Sequence, residues 1–122
     1  MIRSRRHLRS YISDMVEAIE RIQQYAQNLS YHEFVENGMA HDAIVRNFEI
    51  LGESVKRIPF KVQKKYKRIP WRHMYALRNF IVHEYFDLDE EILWEIIQTD
   101  LSKNLRDLKT ILDDSTNLET WS

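Results

Sequence analysis

Eight consecutive residues, Arg78-Asn79-Phe80-Ile81-Val82-His83-Glu84-Tyr85, set polar side chains with chemical uses into an otherwise apolar stretch. A histidine with an ordinary pKa of about 6.5 can take a proton from a ribose 2′-hydroxyl or give one to a departing 5′-oxygen. A guanidinium can stabilise the extra charge on a five-coordinate phosphate. Together they suffice to cut RNA by internal transesterification, with no metal and no cofactor. Such a reaction uses the 2′-hydroxyl as nucleophile, so it spares DNA and leaves a 2′,3′-cyclic phosphate and a 5′-hydroxyl.

On a helix at about 100° per residue, Arg78 and Tyr85 fall nearly on one face and Asn79 and His83 form an i, i+4 pair, while Arg78 and His83 diverge by about 140°. A single straight helix therefore does not put Arg78 and His83 on one stripe. They can meet if their side chains converge across a groove edge, or if two copies of the helix face each other across a two-fold axis. The plainer alternative is a hydrogen-bonded interfacial histidine beside a surface arginine.

The surroundings of this segment are uneven in charge. The 122-residue chain carries a net charge of −1, but residues 54–83 hold nine basic residues and no acid. Lys61, Lys64, Lys65, Lys67, Arg68 and Arg72 lie in that stretch. Cationic side chains gain affinity for a polyanion by releasing its counterions, which makes these six a candidate RNA-contacting surface. A solvated face paired with the acidic C-terminal helix is the competing account.

Composition removes other classes of function. With no cysteine there is no disulfide, thiolate metal site or cysteine nucleophile. Two glycines, Gly38 and Gly52, cannot build a glycine-rich phosphate loop. The five histidines show no metal-ligand spacing, so no metal is expected. No apolar run approaches the roughly 18 to 20 residues of a membrane span. The early arginines Arg3, Arg5, Arg6 and Arg9 have no apolar segment behind them, so they do not read as a targeting signal, and a cytoplasmic protein is expected.

The elements that must position the segment are helical. Leu8, Ile12, Met15, Ile19, Ile22 and Ala26 form one apolar stripe over a first helix from Leu8 to about Asn28. Ser30-x-x-Glu33 spells a capping box for a short second helix, with Gly38 as its stop. Ile44, Val45, Phe48, Leu51, Val55 and Ile58 mark a third, from about His41 until Pro59 ends it. Residues 60–69 read as a short helix or loop outside the core. Pro70 opens a helix that buries Trp71, Met74, Leu77, Ile81 and Val82. Asp87 or Asp89 caps one long last helix, with Ile92, Leu93, Ile96, Ile97, Leu101, Leu105, Leu108 and Leu112 as its stripe. The expectation is one all-α bundle over residues 1–122, with a core at about 8–112 and a tail over 113–122.

The sequence resembles the HEPN superfamily, and within it the HepT-like toxins of HepT/MntA toxin–antitoxin pairs. Arg78-x4-His83-x-Tyr85 matches the R-x4-H-x-Y signature inside ALRNFIVHEYF, and residues 43–55 (AIVRNFEILGESV) match the upstream helix through Arg46, Asn47, Glu49, Gly52 and Glu53. Trp71 and the wording WEIIQTDL from Trp94 extend the likeness across roughly residues 8–112. The resemblance implies an antiparallel four- to five-helix bundle that forms a homodimer, with paired motifs lining a cleft. It implies that Arg78 and His83 act in metal-independent RNA cleavage, with Asn79 supporting. It further implies an MntA-like nucleotidyltransferase antitoxin as partner and Tyr85 as the acceptor of AMP, a bulky anionic block in an RNA cleft.

Arg46, Glu49, Gly52 and Glu53 are read as structural or interface residues. A glycine in a helix interior costs about 1 kcal/mol against alanine, which close helix or subunit contact would explain. Glu53 is expected to pair with Arg46 or Arg78. Acids beside the motif, Glu84, Asp87 and Asp89, depart from a uniformly basic setting and would narrow the range of substrates. Two other functions use the same residues: a non-catalytic subunit that holds nucleotide or substrate for a nucleotidyltransferase, and a purely structural dimerisation domain.

Overall fold

In the computed structural model, residues 8–83 and 89–114 are described, with the backbone alone for Phe80, Val82 and His83. Every regular element among them is an α-helix: α1 (Leu8–Ala26), α2 (Tyr31–Glu36), α3 (Gly38–Val55), α4 (Phe60–Lys65), α5 (Trp71–His83), α6 (Glu90–Thr99) and α7 (Leu101–Asp113). Helix α3 is central, packing on α1 and on α5, while α1 also carries α7. That placement explains why α3 buries two faces, with Ile44, Val45 and Phe48 joined by Leu51, Gly52 and Val55. None of the described helices is long and apolar enough to cross a membrane.

The ends of the helices follow from their caps. Ser30 Oγ accepts from Glu33 N at 3.1 Å and Glu33 Oε1 accepts from Ser30 N at 2.9 Å, the reciprocal capping box expected of α2. Gly38, however, does not stop that helix in a left-handed conformation. No glycine among the described residues has positive φ, and Gly38 opens α3 instead. The neighbour that decides this is Asn37, whose side chain accepts from Ala40 N at 3.1 Å and caps α3.

Residues 60–69 belong to the core after all. Val62 and Ile69 are buried although they stand among basic residues. The segment is held by side-chain bonds to backbone: Gln63 Nε2 donates to Ile58 O at 3.1 Å, and Trp71 Nε1 donates to Tyr66 O at 3.0 Å. The expected single last helix is two helices, because the chain breaks at Asp100 between α6 and α7. Thr99 Oγ1 makes hydrogen bonds there with Glu95 O and Asp100 Oδ1. The stripe persists across the break, with Leu93, Ile97, Leu101 and Leu108 buried, but Ile92 is 52% exposed.

Two tethers fix the far ends of the fold. Arg9 Nη1 donates to Leu112 O at 2.8 Å, and Tyr66 Oη donates to Asp114 Oδ2 at 3.0 Å. The expected tail over 113–122 does not begin at 113, because Asp113 ends α7 and Asp114 is held by Tyr66; residues 115–122 and the N-terminal arginines Arg3, Arg5 and Arg6 lie outside the described residues.

Candidate active site

Arg78 lies on α5 where that helix crosses α3, and its direction is set by a missing side chain. A Cβ on Gly52 would stand 2.1 Å from Arg78 Cβ and 2.9 Å from Arg78 Cγ. Because α3 has no side chain at that point, the arginine stem lies directly on its backbone. From there the guanidinium meets two partners: Nη1 donates to Asn79 Oδ1 at 2.9 Å, and Nη2 is 3.7 Å from Glu53 Oε2. Of the two arginines open to Glu53 in the sequence, Arg78 is the one it faces. Arg46 is exposed and Glu49 half-buried on the same helix.

The Nε of Arg78 is buried and has no hydrogen-bond partner among the described residues. Two ends of the guanidinium are thus held while a third donor is unmet. A planar cation oriented in this way can present its remaining hydrogens to a phosphate, which a flexible ammonium cannot imitate.

His83 is the last residue of α5. Its side chain and the whole of Tyr85, with Glu84 and Asp87, lie outside the described residues. What is described are the anchors on either side. Ile81 is 1% exposed and holds the end of α5 in the core. On the other side, Asp89 Oδ1 accepts from Glu91 N at 3.1 Å and Ile92 N at 3.2 Å, capping α6. Glu90 Oε2 is 2.7 Å from His41 Nε2, and the His41 ring lies against Phe34, which stacks on Trp94 of α6.

All six cations of the proposed RNA surface are exposed, on α4, in the turn after it and in the first turn of α5. Lys64 Nζ is 5.5 Å from the centre of the Phe60 ring, and Lys65 Nζ is equally far from that of Tyr66. Lys64, Lys67, Arg68 and Arg72 make no ion pair with a carboxylate among the described residues. These four are not neutralised by the acidic C-terminal helices. Helix α7 spends Lys109 on Glu20 of α1, at 3.2 Å.

Three polar residues belong to the interior without standing out in the sequence as such, Asn47, Ser54 and Asn104, each at least nine-tenths buried. Asn47 Nδ2 donates to Ala43 O at 2.9 Å, and its Oδ1 has no partner among the described residues. For the two asparagines the signal is position: each interrupts an apolar stripe, Asn47 between Ile44 and Phe48, and Asn104 between Leu101 and Leu108. Among the described residues no group of three or more His, Asp or Glu side chains is arranged to hold a metal ion.

The family model described as "Ribonuclease HepT-like" matches residues 15–113. A "Putative RNase" of Methanocaldococcus jannaschii is 30% identical over 108 residues, which are 88% of this chain and 99% of that protein. The "Probable ribonuclease HepT" of Thermococcus cleftensis is 32% identical over 97 residues, 80% of this chain and 88% of its own length. A "Putative RNase" of Caldanaerobacter subterraneus is 30% identical over 104 residues, 85% of this chain and 93% of the relative. No solved structure matches the chain significantly.

Proposed function

The chain belongs to the HepT-like ribonuclease family, and on that premise we propose that it is a metal-independent endoribonuclease acting through Arg78 and His83, and the toxin of a HepT/MntA-like toxin–antitoxin pair. The observation that carries this reading is the intact Arg78-x4-His83-x-Tyr85 signature in the sequence, together with Arg78 on α5 held by Asn79 and Glu53.

In the reaction the ribose 2′-oxygen attacks phosphorus and the P–O5′ bond breaks. The 2′-hydroxyl proton goes to a base and the 5′-oxygen collects a proton from an acid, the two roles open to His83. Arg78 neutralises the charge that builds on the phosphoryl oxygens, and Asn79 fixes the guanidinium plane. A two-fold homodimer would bring two copies of the motif to one cleft, supplying both a proton acceptor and a proton donor. Lys61, Lys64, Lys65, Lys67, Arg68 and Arg72 would hold the phosphates of the strand beside it.

Neutralisation follows at Tyr85. A cognate nucleotidyltransferase would join its phenolic oxygen to the α-phosphorus of ATP, with loss of the phenolic proton and departure of pyrophosphate. The AMP group would then put a negative charge and a base two residues from His83, where substrate must enter.

The test is incubation of the purified chain and its His83→Ala variant with total RNA or tRNA in excess EDTA, followed by analysis of product ends. Cyclic-phosphate ends from the wild type alone are expected. Absence of cleavage by folded, unmodified protein would overturn the nuclease and favour a nucleotide-holding subunit of the transferase.

A further inference from the structure

Where α3 and α5 face the break between α6 and α7 there is a cavity of about 270 Å³. Its walls are apolar, from Phe48 and Leu51 of α3, Met74 and Leu77 of α5, and Leu101 of α7. One polar side chain reaches it from the interior. Asn104 is 7% exposed, lines the cavity, and its carboxamide makes no hydrogen bond among the described residues. Its amide atoms are open to the cavity and not sealed from solvent, so they can offer a ligand a donor and an acceptor together.

We propose that this cavity is a nucleobase subsite, in which Asn104 pairs with the edge of one base, adenine by preference, of a single-stranded RNA. A carboxamide presents a donor and an acceptor side by side, and adenine presents the complementary pair at N6 and N7, a two-bond pairing that asparagine makes with it. The apolar walls suit the faces of a base. The volume is at the small end of ligand pockets, which begin at roughly 300 Å³, so it takes one base and not two.

The rim suits the phosphate. Arg68, His73 and Lys103 stand around the opening, with Asp100 as the carboxylate among them. Thr99 also reaches the rim, but its hydroxyl is engaged with Glu95 O and Asp100 Oδ1. A second, open groove of about 580 Å³ shares Pro70 and His73 with the cavity and continues past Arg72, Lys67 and Lys64 to Phe60. Phe60 is 74% exposed, and an exposed aromatic among cations is the arrangement on which bases of a single strand stack. The groove thus gives the strand a path to the cavity. The proposal rests on the RNA-cleaving reading for the source of its ligand.

The test uses the full chain labelled with nitrogen-15, titrated with AMP, GMP, CMP and UMP, and then with 2′-O-methyl oligonucleotides that differ in one base. The blocked 2′-oxygen prevents cleavage, so binding is read apart from catalysis. The side-chain amide signals of Asn104 are expected to move with AMP and with the adenine-containing strand. The adenine strand should bind about tenfold tighter than the uracil one. Asn104→Leu should erase that preference to within about twofold. Arg68→Gln should weaken all strands alike and lower the salt dependence by about one counterion.

A base preference that survives Asn104→Leu would overturn the proposal. So would Asn104 signals that no nucleotide moves, a result read on the wild type even where the leucine variant does not fold. Movement with AMP but with no strand would overturn the RNA strand as occupant in favour of the free nucleotide. A chain that shows the Asn104-dependent preference yet cuts no RNA would overturn the nuclease alone.

Discussion

Gly52 and Arg78 are in a contact that leaves no room for a methyl group: a Cβ on Gly52 would stand 2.1 Å from Arg78 Cβ and 3.1 Å from the carbonyl oxygen of Met74. The glycine has an ordinary helical φ, so the requirement is steric and not conformational. Alanine at this position should gain about 1 kcal/mol of helix propensity. The overlap must then be relieved by separating α3 from α5 or by displacing Arg78, a kind of overpacking that costs about 1–3 kcal/mol or more. Gly52→Ala is therefore expected to lower the urea midpoint and to depress RNA cleavage even at temperatures where the variant is folded. Equal stability and activity would show that the two helices can part at no cost.

The pair formed by Arg78 and Glu53 supports a second expectation, because geometry and charge act differently in it. Glu53 is close to half exposed and its carboxylate is 3.7 Å away, a separation at which a surface pair contributes about 0–1 kcal/mol. Glu53→Gln should leave thermal stability nearly unchanged while removing a negative charge beside the proposed phosphate site, so RNA should bind more tightly. Arg78→Lys keeps the charge but loses the bond to Asn79 and the fixed plane, and cleavage should fall at least tenfold. Affinity measured with a 2′-O-methyl strand and cleavage measured with RNA separate the two effects. A lysine variant with full activity would remove orientation as the reason for arginine.

The first turn of α6 gives a prediction about the far side of the motif. Asp89 accepts two backbone hydrogens, from Glu91 and Ile92, and carries a negative charge at the positive end of the helix. Asp89→Ala should cost about 0.5–2 kcal/mol, as for other cap residues. The neighbouring Glu90 holds His41 across from it, so loosening the cap should also disturb the spacing between His83 and α6. Hydrogen exchange of the amides of Glu91 and Ile92 should rise more than that of amides in α1. Uniform protection in both helices would show that the cap is dispensable.

Much of this arrangement could be read before any coordinates, and the failures have physical causes. The stripe of α1 is legible because Ile12, Met15, Ile19 and Ile22 keep helical spacing with exposed charges between them. Gly52 was legible as a close contact, since an interior glycine costs helix stability without one. What touches it was not, because the crossing of α3 and α5 is a tertiary fact. Gly38 misleads because Asn-Gly is a common turn signal, yet the Asn37 side chain caps the following helix and lets the glycine begin it. The break at Asp100 is hidden because the apolar spacing from Ile97 to Leu101 is the same as in a continuous helix. Val62 and Ile69 stand alone among cations, too few to form a periodic pattern, and are buried by the tether from Trp71 to Tyr66. Whether Glu53 pairs with Arg46 or Arg78 depends on the same crossing, which the alternation of residue types does not encode.

The tie between Tyr66 and Asp114 makes the fold sensitive to high pH. Burial first, then the hydrogen bond and the negative charge of Asp114, hold the Tyr66 phenol above its ordinary value of about 10. For an acid with a raised pKa, the folded state keeps its proton more tightly than the unfolded chain. The stabilisation is complete below about pH 10 and is lost as pH rises through the folded value. Tyr66→Phe should cost about 0.5–1.5 kcal/mol at neutral pH, the worth of one net hydrogen bond. Other tyrosines and the lysines titrate in the same range in both proteins, so the difference between their urea midpoints isolates Tyr66. That difference should be constant from pH 7 to about 9.5 and close at higher pH. A gap that stays open would mean that Tyr66 stabilises the end of α7 by packing alone, and that its bond to Asp114 contributes nothing.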